Sequence, residues 1–135
     1  MGVTVRRTVL ARLLDEARRA APDECCGLLL GELLHGGEAI TQALPADNVA
    51  ADRRRRFEID PAALLAAHKA ARAGGPAVIG YYHSHPSGTA EPSAADGAEA
   101  AGDGRVWAIV AGGKVRFWRD GPGGFEALSY TVAEG

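Results

Sequence analysis

The sequence predicts an α/β (α+β) fold, a mixed and mainly antiparallel sheet sandwiched by helices. Three observations lead there. Thr8 to Ala21 and Ala62 to Ala73 carry apolar residues at helical spacing. About six or seven short runs rich in Val, Ile, Leu and aromatic residues read as strands. Helical and strand runs are interspersed along the chain, so helices must cover the faces of one sheet. At 135 residues with 47% apolar content, the chain is expected to be one domain, residues 1–135. A chain of this size buries about 68–70% of its unfolded surface, enough for a core.

Val3 to Val5 opens as a short strand. In the first helix Val9, Leu10, Leu13, Leu14 and Ala17 form one stripe, with Arg12, Asp15, Arg18 and Arg19 mostly off it; Pro22 stops it. Cys25 to Leu34 suits a central strand, and Gly27 inside it signals close backbone packing. Gly36-Gly37 turns the chain, and Glu38 to Leu44 returns as the second arm of a hairpin. Pro45 to Asp52 reads as loop. The four arginines Arg53 to Arg56 fit either a solvated strand edge or a docking patch for an acidic partner. Asp60-Pro61 is an N-cap and first-turn pair. The helix after it should bury Leu64, Ala67 and Ala71, with Leu65 beside them, and His68 lies at the margin of that stripe as a structural or surface residue. Gly74-Gly75-Pro76 ends this helix. Ala77 to Tyr82 is a β-rich apolar run suited to a buried strand, and Ala94 to Ala101 forms a short third helix. Val106 to Val110, Val115 to Trp118 and Phe125 to Val132 are the last three strands.

The stretch from His83 to Asp96 carries the chemistry. If the strand runs on to His85, His83 and His85 point to one face, their Cβ atoms roughly 6–7 Å apart, close enough to share an ion. Pro86 ends the strand, and Pro92 suits a helix start. Ser93 and Asp96, three apart, share a face of that helix. Two imidazoles and one carboxylate would then converge on a point, a ligand set that zinc accepts while keeping a fourth position for water. The alternative is two surface histidines near a turn and a serine that only caps a helix. Glu24 stands at the start of the central strand, either as a solvated strand-end acid or as a general base. The H-E-x-x-H helix is absent, as is the P-C-x-x-C of the zinc deaminases, because no Cys follows Cys26.

Composition narrows the function classes. A net charge of −2 and a pI near 6.1 give no electrostatic case for nucleic acid. No apolar run approaches a membrane span and the N-terminus has no apolar leader, so the expectation is a cytoplasmic protein that does not enter membranes. Cys25 and Cys26 are adjacent and would point to opposite strand faces, which disfavours a disulfide between them. Cys26 reads as a small core residue; as a nucleophile it would need a partner base, and the histidines are better used on metal.

Glu24-x-Cys26-Gly27, then His83-x-His85-Pro86, then Ser93-x-x-Asp96 resembles the JAMM signature of the MPN/JAB metalloprotease family. Asn48, the arginines, Phe57 and Ile59-Asp60-Pro61 look like the segment before the second helix in small bacterial members, so the likeness runs from about Ala11 to Trp118. His83-Ser84-His85-Pro86-Ser87-Gly88 also resembles the RadC-type branch, but the Glu24 region and compact chain are more similar to standalone JAB peptidases. The resemblance implies a cytidine-deaminase-like MPN/JAB fold. It implies one Zn2+ per chain on His83, His85 and Asp96, Glu24 as the base that activates water, and Ser93 as a donor to the oxyanion. The implied reaction is hydrolysis of an amide bond after the C-terminal Gly-Gly of a ubiquitin-like (sulfur-carrier) protein, cysteine being one leaving group. A non-catalytic, metal-stabilised module that binds such tails is the competing reading, and an oligomer is compatible with either.

Overall fold

A computed structural model describes residues 2–135. The elements run β1 (Gly2–Arg6), α1 (Arg7–Ala20), β2 (Cys26–Leu34), β3 (Gly37–Ala46), α2 (Pro61–Arg72), β4 (Ala77–Ser84), α3 (Ala94–Glu99), β5 (Val106–Ala111), β6 (Lys114–Gly121), β7 (Gly124–Leu128) and β8 (Tyr130–Ala133). All eight strands form one sheet in the order β7-β6-β5-β4-β2-β3-β1-β8. Three pairings are parallel, β1 with β3, β1 with β8 and β4 with β5; the other four are antiparallel. The sheet is thus mixed and mainly antiparallel, as the strand and turn spacing predicts, but it has eight strands rather than six or seven.

The extra strand comes from Phe125 to Val132, which is not one strand. It breaks at Ser129 into β7 and β8, which pair with β6 and with β1 at opposite ends of the strand order. Since one residue separates them, the two edges must meet, and the sheet curls on itself. Contacts across the curl agree: the Phe117 and Tyr130 rings stand 4.7 Å apart, and the Arg119 guanidinium donates to Glu38 Oε1 at 3.1 Å. Strand twist and two register shifts, at Leu30/Gly31 against β3 and at Leu29/Leu30 against β4, supply the bend. Three smaller differences concern boundaries and burial. The strand after the hairpin turn continues through Pro45 to Ala46, the third helix stops at Glu99, and Leu65 is 66% exposed rather than packed beside Leu64.

Alternation in β2 shows the two cores. Leu29 packs with Val9 and Leu13 of α1, whereas Leu28 and Leu30 face Ala67 of α2. Gly27 sits where a Cβ would collide with the Leu44 carbonyl and the Tyr82 side chain, so the central strand needs glycine there. In β4 the register skips Ile79, a bulge that changes the phase of the strand. As a result Ile79 and Tyr82 join the α1 core, while Tyr81 turns toward the α2 core. The same bulge puts His83, two residues on, against Trp107 on that second face. Among the described residues no helix is long and apolar enough to cross a membrane.

Candidate metal centre

Register brings the upstream acid to the histidines. Cys26 pairs with His83 across the β2–β4 ladder, so counting back sets Cys25 against Ser84 and Glu24 against His85. The Ser84 hydroxyl accepts the Cys25 N–H at 2.8 Å, and the Ser84 N–H donates to the Cys25 carbonyl at 3.2 Å. Beyond β4 the His85 N–H donates to the Val110 carbonyl at 2.9 Å, which keeps His85 extended and on the same side as His83. Pro92 and Ser93 then start α3. Ser93 caps it in a capping box: its Oγ accepts the Asp96 N–H at 3.0 Å, and Asp96 Oδ2 accepts the Ser93 N–H at 2.9 Å.

These elements close a tight triangle. His83 Nε2 and His85 Nε2 lie 3.0 Å apart, His83 Nε2 is 3.0 Å from Asp96 Oδ1, and His85 Nε2 is 3.1 Å from Asp96 Oδ2. Tetrahedral zinc with bonds near 2.0–2.1 Å holds its ligand atoms about 3.3 Å apart, so the spacing suits such an ion with a small adjustment. The chemistry of the donors suits it as well. His85 Nδ1 is 2.7 Å from the Thr89 carbonyl, which can only accept; Nδ1 therefore carries a proton, which leaves Nε2 as the atom that would meet an ion. Burial pushes the wholly enclosed His83 toward its neutral form against the pull of Asp96. Burial opposes ionisation of Asp96, yet hydrogen bonds from His83 and His85 outweigh it and hold the carboxyl below the usual range. Burial lowers His85 too, but its bonds to Asp96 and to the Thr89 carbonyl outweigh it and raise the ring. Two imidazole nitrogens and an ionised carboxylate that face one point are a donor set that a cation would hold in place of the ring protons.

Glu24 stands one step back. A carboxylate oxygen of Glu24 and the two histidine nitrogens lie within 4.8 Å of one another, looser than the triangle with Asp96. Glu24 is 5% exposed, and its Oε1 is buried without a hydrogen-bond partner. Burial raises its carboxyl to about 7, the His85 charge opposing and Asp96 and Asp52 adding to the rise. An unpaired, buried carboxylate oxygen beside a cation position is where water would be held. The structure therefore brings Glu24, His83, His85 and Asp96 together, and sets Ser93 at the rim, exposed, with its hydroxyl proton free to donate.

The sequence reading gave several neighbours no part in the site. Phe57 stacks on His83 at 4.2 Å and 16°, and Trp107 meets the same ring edge-on at 5.7 Å. Phe57 and Trp107, with Ile59, Leu64 and Tyr81, line a cleft of about 700 Å³ that reaches Asp96. Only Phe57 carried a sequence signal, an aromatic residue just before the Asp60-Pro61 helix start. Burial raises the thiols of Cys25 to about 11 and of Cys26 to about 12, so both are protonated, inert core groups, and both are free. His68 lies on α2, outside the cluster.

Comparison with known proteins places these features in a family. The sequence profile of the prokaryotic homologues of the JAB domain matches residues 6–121. The chain is 33% identical over 109 residues to a desampylase of Haloferax volcanii, a match spanning 81% of this chain and 77% of that protein. It is 38% identical over 92 residues to a protein of Thermus thermophilus named "Probable TtuB-protein conjugate cleaving protease", spanning 65% of this chain and 59% of the other. Its fold matches the crystal structure of a JAB1/MPN domain protein from Archaeoglobus fulgidus with a TM-score of 0.66 and 20% identity, over 98% of both chains.

Proposed function

Because the chain belongs to the prokaryotic JAB-domain family, we propose that it is a zinc-dependent JAMM-type metallopeptidase acting on the amide that follows the Gly-Gly tail of a ubiquitin-like protein. The observation that carries this reading is the triangle of His83, His85 and Asp96, with the unpaired carboxylate of Glu24 beside it. Those three side chains would hold the ion. A zinc ion supplies Lewis acidity, polarising a carbonyl and making water acidic near pH 7.

The chain's own residues do the rest. Glu24 takes a proton from the attacking water as the water oxygen bonds to the amide carbon. The carbon–nitrogen bond then breaks, and Glu24 returns that proton to the departing amine. A carboxyl raised toward neutrality by burial both accepts and gives up a proton in that range. The Ser93 hydroxyl donates to the oxygen on which negative charge grows. Phe57 and Trp107 shield His83 from water and fix its ring. The 700 Å³ cleft ending at Asp96 gives an extended tail without side chains a path to the site. The name of the Thermus relative speaks of cleaving a protein conjugate, which supports a bond to another protein over release of cysteine. A cytoplasmic setting agrees with two free, adjacent thiols. The whole chain, 1–135, serves as one catalytic domain.

The test is Glu24→Gln on a ubiquitin-like domain joined through Gly-Gly to a lysine peptide. The variant should bind zinc as the parent does and lose about 100-fold or more in kcat. Hydrolysis surviving that change would overturn the base assignment. A parent that binds zinc and the tail but never cleaves would be a binding module.

A further inference from the structure

We propose that Asn48 is the positioning residue that holds Glu24 against the metal ligands, an inference that rests on the catalytic reading of Glu24. Glu24 lies before β2, so the ladder aligns it with His85 but no ladder hydrogen bond holds it. Its backbone is tied instead to the segment between β3 and α2. The Glu24 N–H donates to the Arg53 carbonyl at 2.7 Å, and the Asn48 Nδ2 amide donates to the Glu24 carbonyl at 3.0 Å. Ser84 takes both backbone groups of Cys25, as described above. All four polar backbone groups of Glu24-Cys25 are therefore engaged: two by the strand that carries the histidines and two by the 48–56 loop.

Asn48 organises that loop. Its Nδ2 also donates to the Arg56 carbonyl at 3.1 Å, while its Oδ1 accepts the Ala50 and Glu58 N–H groups, each at 3.1 Å. A carboxamide has two donors and two acceptor sites, and here all four are used. Asn48 thus folds the arginine segment back on itself, presents the Arg53 carbonyl to Glu24, and grips Glu24 from the other side. The part of the arginine run that serves the site is its backbone. Two of the guanidiniums have partners of their own: Arg53 pairs with Asp23 and Arg55 approaches Asp52. Among the described residues no other side chain donates to the Glu24 backbone from this loop, and a shift of about 1 Å at a reacting group can cost about 100-fold in rate.

Three proteins and the double variant decide the matter: the parent, Glu24→Gln, Asn48→Ala, and both changes together. In the zinc-loaded chain, Asn48→Ala should lower kcat about 10- to 100-fold with KM within about threefold. On top of Glu24→Gln it should cost less than about twofold, because the group it positions is already disabled. In the zinc-free chain, the Glu24 amide should exchange with solvent at least about tenfold faster, while the Leu29 amide in the central strand does not change. Zinc affinity, read by competition with a chromogenic chelator, should stay within about threefold, since Asn48 touches none of the three ligands. If Asn48→Ala fails to fold, Asn48→Asp keeps the acceptors for Ala50 and Glu58 and removes the donor to Glu24; it should show the same exchange and kcat pattern. Multiplicative losses in the double variant, or an unaltered Glu24 amide, would overturn the positioning role. A parent without activity, or an active Glu24→Gln, would overturn the catalytic reading, and the exchange experiment would still report on the clamp.

Discussion

Ser93 caps α3 and is proposed to donate to the oxyanion, and replacing it separates the two roles. Its Oγ caps α3 by accepting the Asp96 N–H at 3.0 Å, and its hydroxyl proton is free for a developing oxyanion. Ser93→Ala removes both. The lost cap costs about 1 kcal/mol, within a range of about 0.5–2. For a chain of this length that lowers Tm by roughly 3–5 °C. Because the cap aims Asp96, zinc affinity should fall by up to about fivefold, the equivalent of that 1 kcal/mol. Ser93→Gly behaves differently, since glycine at an N-cap costs only a few tenths of a kcal/mol, yet it too has no hydroxyl. If Ser93 stabilises the oxyanion, each variant loses about 2.7–4 kcal/mol of transition-state stabilisation, roughly 10²–10³ in kcat. Melting curves, a zinc titration and kcat under saturating zinc give the three numbers. A Ser93→Gly protein that melts like the parent and keeps kcat within about threefold would reduce Ser93 to a helix cap and nothing more.

Two further perturbations follow from buried groups. Glu16 accepts the Tyr82 hydroxyl at 2.7 Å, while its buried Oε2 has no hydrogen bond and lies 3.4 Å from Arg12 Nε; burial raises its pKa despite that bond and the pull of Arg12 and Arg19. The folded chain therefore holds this proton more tightly than the unfolded chain. Its contribution is complete below the unfolded value near 4.3 and is lost as pH rises through the raised folded value. Glu16→Gln should accordingly gain stability relative to the parent in denaturant melts as pH goes from about 4 to about 7.5; a relative loss over that interval would contradict the sign. Cys26, a thiol raised to about 12 among backbone carbonyls, should be dispensable for chemistry. Cys26→Ala should keep kcat within about twofold and lose it on chelation, whereas an inactive but folded, zinc-bound Cys26→Ala would revive a thiol mechanism.

Local periodicity made some of this legible from residues alone. His83 and His85 share a face because strand side chains alternate, and Ser93 and Asp96 share one because a helix turn closes in three to four residues. The stripes of α1 and α2 appear in their hydropathy, and the Asp60-Pro61 start of α2 is seen as read, with Asp60 Oδ1 accepting the Ala62 N–H at 3.0 Å. What escaped is non-local or polar. Nothing in Phe125 to Val132 announces that Ser129 parts two strands on opposite sheet edges, because edge pairing depends on how the whole sheet curls. The bulge at Ile79 is equally silent, although it decides which face His83 occupies.

The placement of Glu24 shows why the site needs the fold and not only the motif. The acid is 59 residues from His83 in sequence, so loop closure and strand pairing, not local preference, must bring them together. Pairing of Cys26 with His83 sets Glu24 opposite His85; a slip of one residue would turn the acid to the other face of the sheet. That register is held by the apolar run Leu28 to Leu30, whose side chains fit two different cores, and by Gly27, which admits no side chain. The last two residues before the ladder, Glu24 and Cys25, lie beyond the reach of that hydrophobic specification. Their position is set by hydrogen bonds with Ser84, Asn48 and the Arg53 carbonyl, groups whose sequence pattern has no period to read. Hydrophobic patterning thus brings the acid to within a residue of its place, and a polar clasp without patterning fixes it there.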